Sequence, residues 1–193
     1  VIFLPDIDPG LYWPRGITTN GTYLYVTDYG NSLIRQIEIS SGIIEILAGS
    51  GNDGFVDGIG RLASFNKPRG ITTDGKNLYI NDTLNDSIRK LVISTREVTT
   101  LVDRKIVEPR GITTDGKYLY VTEGIGYPQY NNKHFIHKIE ISSGEMRTIA
   151  GTGFHGKADG IGKLASFNTP AGITTDGINL YITDEDNHSI RKI

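Results

Sequence analysis

Cysteine is absent from the sequence, which excludes a disulfide framework, a thiol nucleophile and a thiolate metal site. No apolar run approaches the roughly 20 residues that a membrane-spanning helix needs. The formal net charge is −2, too small to draw nucleic acid or an anionic membrane to the surface as a whole. The chain also lacks the HExxH and GxSxG motifs and a phosphate-binding loop. These absences remove the commonest enzyme signatures and predict no contact with a membrane.

Glycine, in contrast, is abundant, with 24 of 193 residues, and much of it lies in one repeated hexapeptide. GITTDG stands at 70–75, 111–116 and 172–177, and GITTNG stands at 16–21. An anchoring proline precedes each copy: Pro14, Pro68, Pro109 and Pro170. The longer matches around these copies indicate a duplicated pair of modules. Repetition of this kind is typical of stacked structural units. It is evidence about the fold and does not by itself indicate a catalytic or binding function.

Each module reads as four short β-strands joined by turns. The hexapeptide predicts a first strand that ends in a two-residue type I′ hairpin turn at Asp-Gly or Asn-Gly. Four antiparallel strands at a spacing of about 40 residues describe a propeller blade. The predicted fold is therefore all-β, a single β-propeller domain over residues 1–193. Its modules are expected at about 7–49, 67–103, 108–151, and 169–193 together with 1–6.

The two ends of the chain are complementary in sequence. The last module stops within its third strand, and Val1–Asp6 resembles the fourth strand at Val98–Asp103. We therefore expect the N-terminal strand to complete the last blade and close the ring. The alternative is an arc of a larger ring, completed by self-association or by absent sequence. The first residue is Val, which favours a processed or excised piece.

The segment Asp184–Ile193 resembles the NHL repeat, named for an Asn-His-Leu run. Asn187 and His188 match it, whereas Ser189 stands where the family has Leu. The hexapeptide with its proline, and the later LAG and ASFN motifs, extend the resemblance over nearly the whole chain. It implies a propeller, usually of six blades, so four modules are a departure. It also implies a rigid platform that binds proteins or, in some members, RNA. A minority of related rings are lactonases, hydrolases or lyases.

Three arginines follow the anchoring prolines: Arg15, Arg69 and Arg110, with Ala171 in the fourth module. Near one mouth of the channel they would suit a carboxylate, a phosphate or an acidic side chain. The alternative is that each pairs with a carboxylate of its own or a neighbouring blade.

Acidic and basic residues also recur in register. The acids close the second strand: Asp28, Asp82, Glu123 and Asp184. The bases follow in the third strand: Arg35, Arg89, His137 and Arg191. Such recurrence predicts structural pairs, because a catalytic carboxylate would more often be unique to one blade.

The third module carries an aromatic insertion within Glu123–His134. We predict that its Tyr127 and Tyr130, together with Trp13, form a protein-contact patch, because tyrosine gives contact area at low entropic cost. The alternative is a surface loop without a role.

The long loops Gly49–Asn66 and Gly151–Asn168 are predicted to place Leu62, Phe65, Leu164 and Phe167 between blades as apolar plugs. Asp53 suggests a calcium loop, but the second copy has His155 there and no Glu stands at the EF-hand position. No metal, cofactor or catalytic residue is predicted.

The function expected from the sequence is a non-enzymatic NHL-type scaffold that binds through its loops and channel mouth. The alternatives are a metal-dependent lactonase- or hydrolase-like enzyme and an engineered propeller fragment with assembly as its only role. The expected partner is a protein or a small anionic ligand, with self-association to complete a larger ring as a further expectation. Nucleic acid and membrane are disfavoured. The compartment is unknown, since this chain carries no signal; secretion and the cell envelope are two options among others.

Overall fold

The computed structural model describes residues 10–124 and 133–193. The chain divides into two compact units, Val1–Asp103 and Arg104–Ile193. The predicted N-terminal closing strand, Val1–Asp6, lies outside the described residues. Within those residues no helix is both long and apolar enough to cross a membrane.

The first unit contains two antiparallel sheets, which we call blades 1 and 2. The strands of blade 1, in spatial order, are β1 (Pro14–Thr19), β2 (Tyr23–Asp28), β3 (Leu33–Glu38) and β4 (Ile44–Ala48). Those of blade 2, in chain order, are β5 (Gly58–Ile59), β6 (Pro68–Thr73), β7 (Asn77–Asp82), β8 (Ser87–Val92) and β9 (Glu97–Val102). The short strand β5 pairs with β9 and gives blade 2 a fifth strand that the repeat did not predict.

The second unit contains blades 3 and 4. The strands of blade 3 are β10 (Pro109–Thr114), β11 (Tyr118–Gly124), β12 (His134–Glu140) and β13 (Met146–Gly153). Those of blade 4 are β14 (Pro170–Thr175), β15 (Leu180–Asp184) and β16 (Ser189–Lys192). The prediction of small antiparallel blades, one per module, is confirmed, and in the described residues the last blade has three strands.

Short 3₁₀ turns complete the modules. They lie at Tyr29–Asn31, Gly60–Leu62, Thr83–Asn85, Gly162–Leu164 and Glu185–Asn187. In blades 1, 2 and 4 such a turn links the second strand to the third. A residue in the left-handed conformation ends each of those turns: Ser32, Asp86 and His188.

The hairpin turn between the first two strands differs from the predicted type I′. The Asn20 N–H donates to the Tyr23 carbonyl, so Gly21 and Thr22 are the central residues and Asn20 precedes them. Only the glycine of this pair has a positive φ, of 90°, whereas type I′ needs positive φ at both central positions. The prediction was wrong because the Asn or Asp uses its side chain to cap the turn, and so stands before it.

Adjacent blades within a unit bury apolar side chains between them. Phe65 lies in the core of the first unit and Phe167 in that of the second, and both are buried as predicted. Leu62 and Leu164 are 78% and 74% exposed, so their prediction as plugs was wrong. Each leucine ends a 3₁₀ turn, and the alanine and phenylalanine beyond it enter the core.

Candidate functional site

The acid that closes each second strand is the centre of a repeated hydrogen-bond cluster, which we call the carboxylate hub. In blade 2, Asp82 Oδ1 accepts the Asn66 N–H at 2.7 Å, and Oδ2 accepts from Asn85 Nδ2 and Arg89 Nη1 at 2.9 and 2.8 Å. The same three types of donor, an upstream N–H, an Asn and an Arg, serve Asp28 and Asp184. All three acids are buried, and a buried carboxylate needs such partners to remain charged.

The arginine of the hub also links the blade to the long loop before it. Arg89 Nη2 donates to Asp57 Oδ1 at 2.6 Å, and its guanidinium lies 4.9 and 5.1 Å from the ring centres of Phe55 and Phe65. Arg191 donates to Asp159 in the same way, at 2.7 Å. These contacts explain why the sequence DGIG recurs, because its aspartate accepts a hydrogen bond from the hub arginine.

Blade 3 replaces the Asp–Arg pair by Glu and His. Glu123 Oε1 accepts the Val107 N–H at 2.8 Å, and His137 Nε2 lies 2.7 Å from Oε2. His137 Nδ1 lies 3.2 Å from Thr148 Oγ1. Both side chains of the pair are buried. The longer acid and the shorter base keep two of the hub's three contacts among the described residues, the upstream N–H and the base.

Burial raises the pKa of Asp82, and this effect exceeds the opposing hydrogen bonds from Asn66, Asn85 and Arg89. Both oxygens of Asp28, Asp82 and Asp184 accept hydrogen bonds from the chain itself, so these carboxylates act as structural contacts.

Two polar contacts recur where adjacent blades meet within a unit. In the first unit, Thr27 Oγ1 donates to the Arg69 carbonyl at 2.6 Å, and the Lys67 N–H donates to Ser32 Oγ at 3.1 Å. In the second unit, Thr122 Oγ1 donates to the Ala171 carbonyl at 2.7 Å. The Thr169 N–H there donates to His134 Nδ1 at 3.0 Å. We call this arrangement the blade joint.

A glycine of the hexapeptide lets the joint close. A Cβ on Gly16 would lie 2.3 Å from the Arg69 carbonyl oxygen, and one on Gly111 would lie 2.1 Å from that of Ala171. These distances leave no room for a side chain. The need for glycine at these two positions is therefore steric.

The joint of the second unit contains a buried histidine. Burial, and to a smaller extent the neighbouring His155, lower the pKa of His134. The two rings lie 6.4 Å apart in an edge-on arrangement. Neutral His134 fits the geometry, since its Nδ1 accepts the Thr169 N–H.

The three predicted anion-binding arginines have different surroundings. Arg110 Nη1 lies 2.9 Å from Glu185 Oε2 of the next blade. The Arg15 guanidinium lies over the ring of Tyr29 at 5.2 Å. Arg69 is half-buried, and its carbonyl serves the joint. Anion binding by these residues stays a prediction.

Trp13 lies in an exposed aromatic patch that includes a residue the sequence analysis missed. Its ring stacks on Tyr12 with centres 5.0 Å apart and planes 16° apart, and the two side chains are 61% and 52% exposed. The Tyr12 carbonyl accepts the Gly30 N–H at 2.7 Å, which fixes the pair beside Tyr29 and Arg15. We call Tyr12, Trp13, Arg15 and Tyr29 the aromatic patch. Tyr127 and Tyr130 lie outside the described residues.

Asp53 does not resemble a calcium ligand in its contacts. Its carboxylate accepts from Ser32 Oγ at 2.6 Å and lies 3.1 Å from Lys67 Nζ. The Ser32 hydrogen bond is the main reason that the pKa of Asp53 is lowered. Within residues 10–124 and 133–193, no group of three or more His, Asp or Glu side chains is placed to hold a metal ion.

The hub asparagines and joint threonines were also missed by sequence reasoning. Asn31, Asn85 and Asn187 stand at the same place in three modules, and this recurrence was the available signal. Thr27 and Thr122 lie in the second strand, where their β-propensity hid the polar contact between blades.

Small antiparallel blades, packed together within each unit with their first strands close to one another, define this chain as a β-propeller protein. Solved structures agree at the level of the fold. The chain superimposes on a chain of a nidogen/laminin complex with a TM-score of 0.62 and 18% identity, covering 95% of this chain and 76% of that one. It also matches an auxiliary nutrient binding protein from Bacteroides ovatus ATCC 8483, with a TM-score of 0.67, 18% identity, and coverage of 95% and 48%. A streptogramin B lyase matches with a TM-score of 0.64, 18% identity, and coverage of 93% and 51%.

The resemblance to NHL repeats is confirmed by partial relatives. NHL repeat-containing protein 2 of Homo sapiens is 33% identical over 87 residues, which is 40% of this chain and 12% of that protein. Protein SUPPRESSOR OF QUENCHING 1, chloroplastic, of Arabidopsis thaliana is 27% identical over 193 residues, covering 92% of this chain and 18% of that one. The chain thus spans 12 to 18% of the length of these relatives. No model of a known protein family matches the chain.

Proposed function

We propose that this chain is a non-enzymatic binding module whose contact surface is the aromatic patch on blade 1. The patch combines two stacked, exposed rings with a cation held over a third ring. Aromatic residues and arginine dominate the binding energy of protein interfaces, and a guanidinium suits carboxylates. The partner class that fits best is an acidic protein segment.

The single observation that carries the proposal is a contrast between repeated and unrepeated residues. The repeated acids and bases are committed to the hubs, where both oxygens of each acid accept hydrogen bonds. Trp13 and Tyr12 recur in no other module and are exposed. The chemistry that sets one blade apart is thus aromatic and cationic, which suits binding.

Trp13 is the only tryptophan of the chain, so its emission reports on the patch directly. We expect a saturable change in this emission when a hexaglutamate peptide is titrated against dilute protein. Arg15→Gln should weaken peptide binding about tenfold, because that is the usual effect on affinity of losing a charge-assisted hydrogen bond.

Arg61→Gln is the matched control, because Arg61 is exposed and lies outside the patch; it should bind as the wild type does. No saturable response to the peptide would contradict the assignment of the patch. One tightly bound metal ion per chain, with turnover of a lactone or ester that chelation abolishes, would establish the enzyme alternative instead.

A further inference from the structure

The two blade joints are built from different residues at the same three positions. These positions are the start of the third strand, the loop residue that bridges to the buried phenylalanine, and the residue before the anchoring proline. The first unit has Ser32, Asp53 and Lys67 there, and the second unit has His134, His155 and Thr169. All four histidines of the chain lie within residues 104–193. The second joint therefore contains two side chains that titrate near neutral pH, and the first joint contains none.

In the first joint a single hydroxyl serves both neighbours. Ser32 Oγ donates to Asp53 Oδ1 at 2.6 Å and accepts the Lys67 N–H at 3.1 Å. Lys67 Nζ also lies 3.1 Å from Asp53 Oδ1. The Ser32 hydrogen bond lowers the pKa of Asp53 below 3.8, so this carboxylate stays charged at neutral and mildly acidic pH. The acceptor of the Lys67 N–H is thus the same from about pH 8 to about pH 5.

In the second joint the acceptor is a ring nitrogen. The Thr169 N–H donates to His134 Nδ1 at 3.0 Å, and both residues are buried. A neutral imidazole has one nitrogen that accepts a hydrogen bond, whereas a protonated imidazole has a donor on both nitrogens. Protonated His134 therefore offers no acceptor in any orientation of its ring. The Thr169 N–H would then be a buried donor that faces another donor, which destabilises the contact between the blades.

Charged and titratable groups of several elements act on His134. Burial lowers its pKa most, and the neighbouring His155, whose ring lies 6.4 Å away, lowers it further. Three carboxylates oppose this effect by attracting the proton: Glu123 of β11, Asp184 of β15 and Asp186 of the turn after β15. The balance keeps the pKa of His134 in the closed joint below its usual value of 6.5.

Thr169 also contacts other parts of the joint. Its Oγ1 donates to Asp186 Oδ2 at 2.5 Å, and its carbonyl accepts the Glu185 N–H at 3.3 Å. Glu185 Oε2 in turn lies 2.9 Å from Arg110 Nη1 of blade 3. A displacement of Thr169 away from His134 therefore affects the turn that contains Glu185 and the ion pair that this turn makes with the neighbouring blade.

We propose that the joint between blades 3 and 4 is an acid-sensitive contact. Protonation of His134 removes the acceptor of the Thr169 N–H and opens the joint at this point, whereas the joint between blades 1 and 2 stays closed. The inference goes beyond the proposed binding function, because it concerns the second unit and the aromatic patch belongs to the first.

The direction of the pH effect follows from the two forms of the joint. When the joint opens, the pKa of His134 returns to its usual value of 6.5, whereas in the closed joint it is lower. The open form therefore binds the proton more tightly, and the joint weakens as pH falls below 6.5. Each unit of pH in this range raises the population of the open form about tenfold, until His134 is also protonated in the closed joint.

The test is residue-resolved amide hydrogen exchange of the full chain at about pH 7.5 and about pH 5.5, on either side of the usual pKa of histidine. Protection factors remove the effect of pH on the exchange chemistry itself. The protection of the Thr169 N–H should fall several-fold, up to about tenfold, over this range. The Lys67 N–H is the internal reference, because it donates at the same position of the first joint. Its protection should change less than about twofold.

His134→Ser gives the second joint the type of acceptor that Ser32 provides in the first. The protection of Thr169 should then change as little with pH as that of Lys67. His188→Ser is the matched control, because His188 stands at the same place in blade 4 and is exposed; it should keep the wild-type loss. A loss of protection in acid that survives His134→Ser, or one that His188→Ser removes, would overturn the inference.

His155→Asp tests the same claim at an exposed position and leaves the core unchanged. It introduces the acid that the first unit has at Asp53. A carboxylate beside His134 favours the protonated ring in the closed joint, so the pKa of His134 should move toward its usual value. The loss of Thr169 protection in acid should then be smaller than in the wild type. A loss as large as that of the wild type, or equal losses at Thr169 and Lys67 in the wild type, would contradict the proposal.

Discussion

At the scale of single residues, the turn between the first two strands shows why Asp and Asn exchange freely in the repeat. Asp115 Oδ1 accepts the N–H groups of Lys117 and Tyr118, and its Oδ2 accepts from the Tyr120 hydroxyl at 2.9 Å. Asn20 makes the same two backbone contacts, while its Nδ2 donates to the Tyr25 hydroxyl. The tyrosine hydroxyl donates to Asp and accepts from Asn, so either residue satisfies the turn.

The two turns differ in their response to acid. Burial alone would raise the pKa of Asp115, but hydrogen bonds from Tyr118, Lys117 and Tyr120 lower it below 3.8. A lowered folded-state pKa gives a contribution to stability that is present above the unfolded value and is lost as pH falls through the folded value. We expect Asp115→Asn to keep its stability near neutral pH and to lose less than the wild type as pH falls below 3.8.

Urea unfolding at a series of pH values measures this difference. Asn20→Asp is the reciprocal variant and should add acid sensitivity, because it places a carboxylate in the equivalent turn. Parallel pH profiles for the wild type and both variants would show that the turn carboxylates do not contribute to the pH dependence of the free energy of unfolding.

At the scale of strands and blades, the first glycine of the hexapeptide lies where two blades of a unit come closest. Gly111 faces the Ala171 carbonyl across the joint, whereas Gly172 faces no neighbouring blade among the described residues. Neither has a positive φ, so alanine is tolerated by the backbone at both positions. Any difference between the two substitutions therefore reports on packing at the joint.

Gly111→Ala should lower the free energy of unfolding by about 1–3 kcal/mol, because its Cβ would force the two first strands apart. Gly172→Ala is the matched control and should change it by less than about 0.5 kcal/mol. Denaturant titration gives both values. Equal effects at the two glycines would show that the joint is looser than its geometry indicates.

The arrangement of strands in each blade was predictable because the modules repeat. The alternation of apolar and polar residues in a single strand is a weak signal. Aligning the four copies, however, shows the turn residues and the paired acid and base at the same position in each module. The strand β5 was not predictable, since Gly58 and Ile59 carry no strand signal and pair with β9 only through tertiary contact. The exposure of Leu62 also depends on where its 3₁₀ turn ends, which composition does not specify.

Only part of the aromatic patch was predicted from the sequence, namely Trp13. Trp13 stood out as the one tryptophan, but its stacking on Tyr12 depends on a positive φ and on the Tyr12–Gly30 hydrogen bond. A bulky residue with positive φ is unusual, and no local sequence signal requires it. The four pre-proline residues of the repeat share this conformation whatever their side chains: Trp13, Lys67, Glu108 and Thr169.

At the scale of the whole molecule, our proposal for the function rests on residues that do not repeat between modules. The hubs and joints engage the repeated polar groups, whereas the exposed rings of Tyr12 and Trp13 take no part in them. Structural neighbours of this fold include an auxiliary nutrient binding protein and a lyase. Our proposal of binding rests on the local chemistry of the patch.

Native-state amide hydrogen exchange tests the central claim, that each recurring acid fixes its blade to the segment that precedes it, in all modules at once. The N–H groups of Tyr12, Asn66, Val107 and Asn168 each donate to a hub acid. We expect all four to exchange in the slowest class, near the rate of global opening, while the exposed loop amide of Gly51 exchanges fast. Exchange of the hub amides at the rate of Gly51 would contradict the claim.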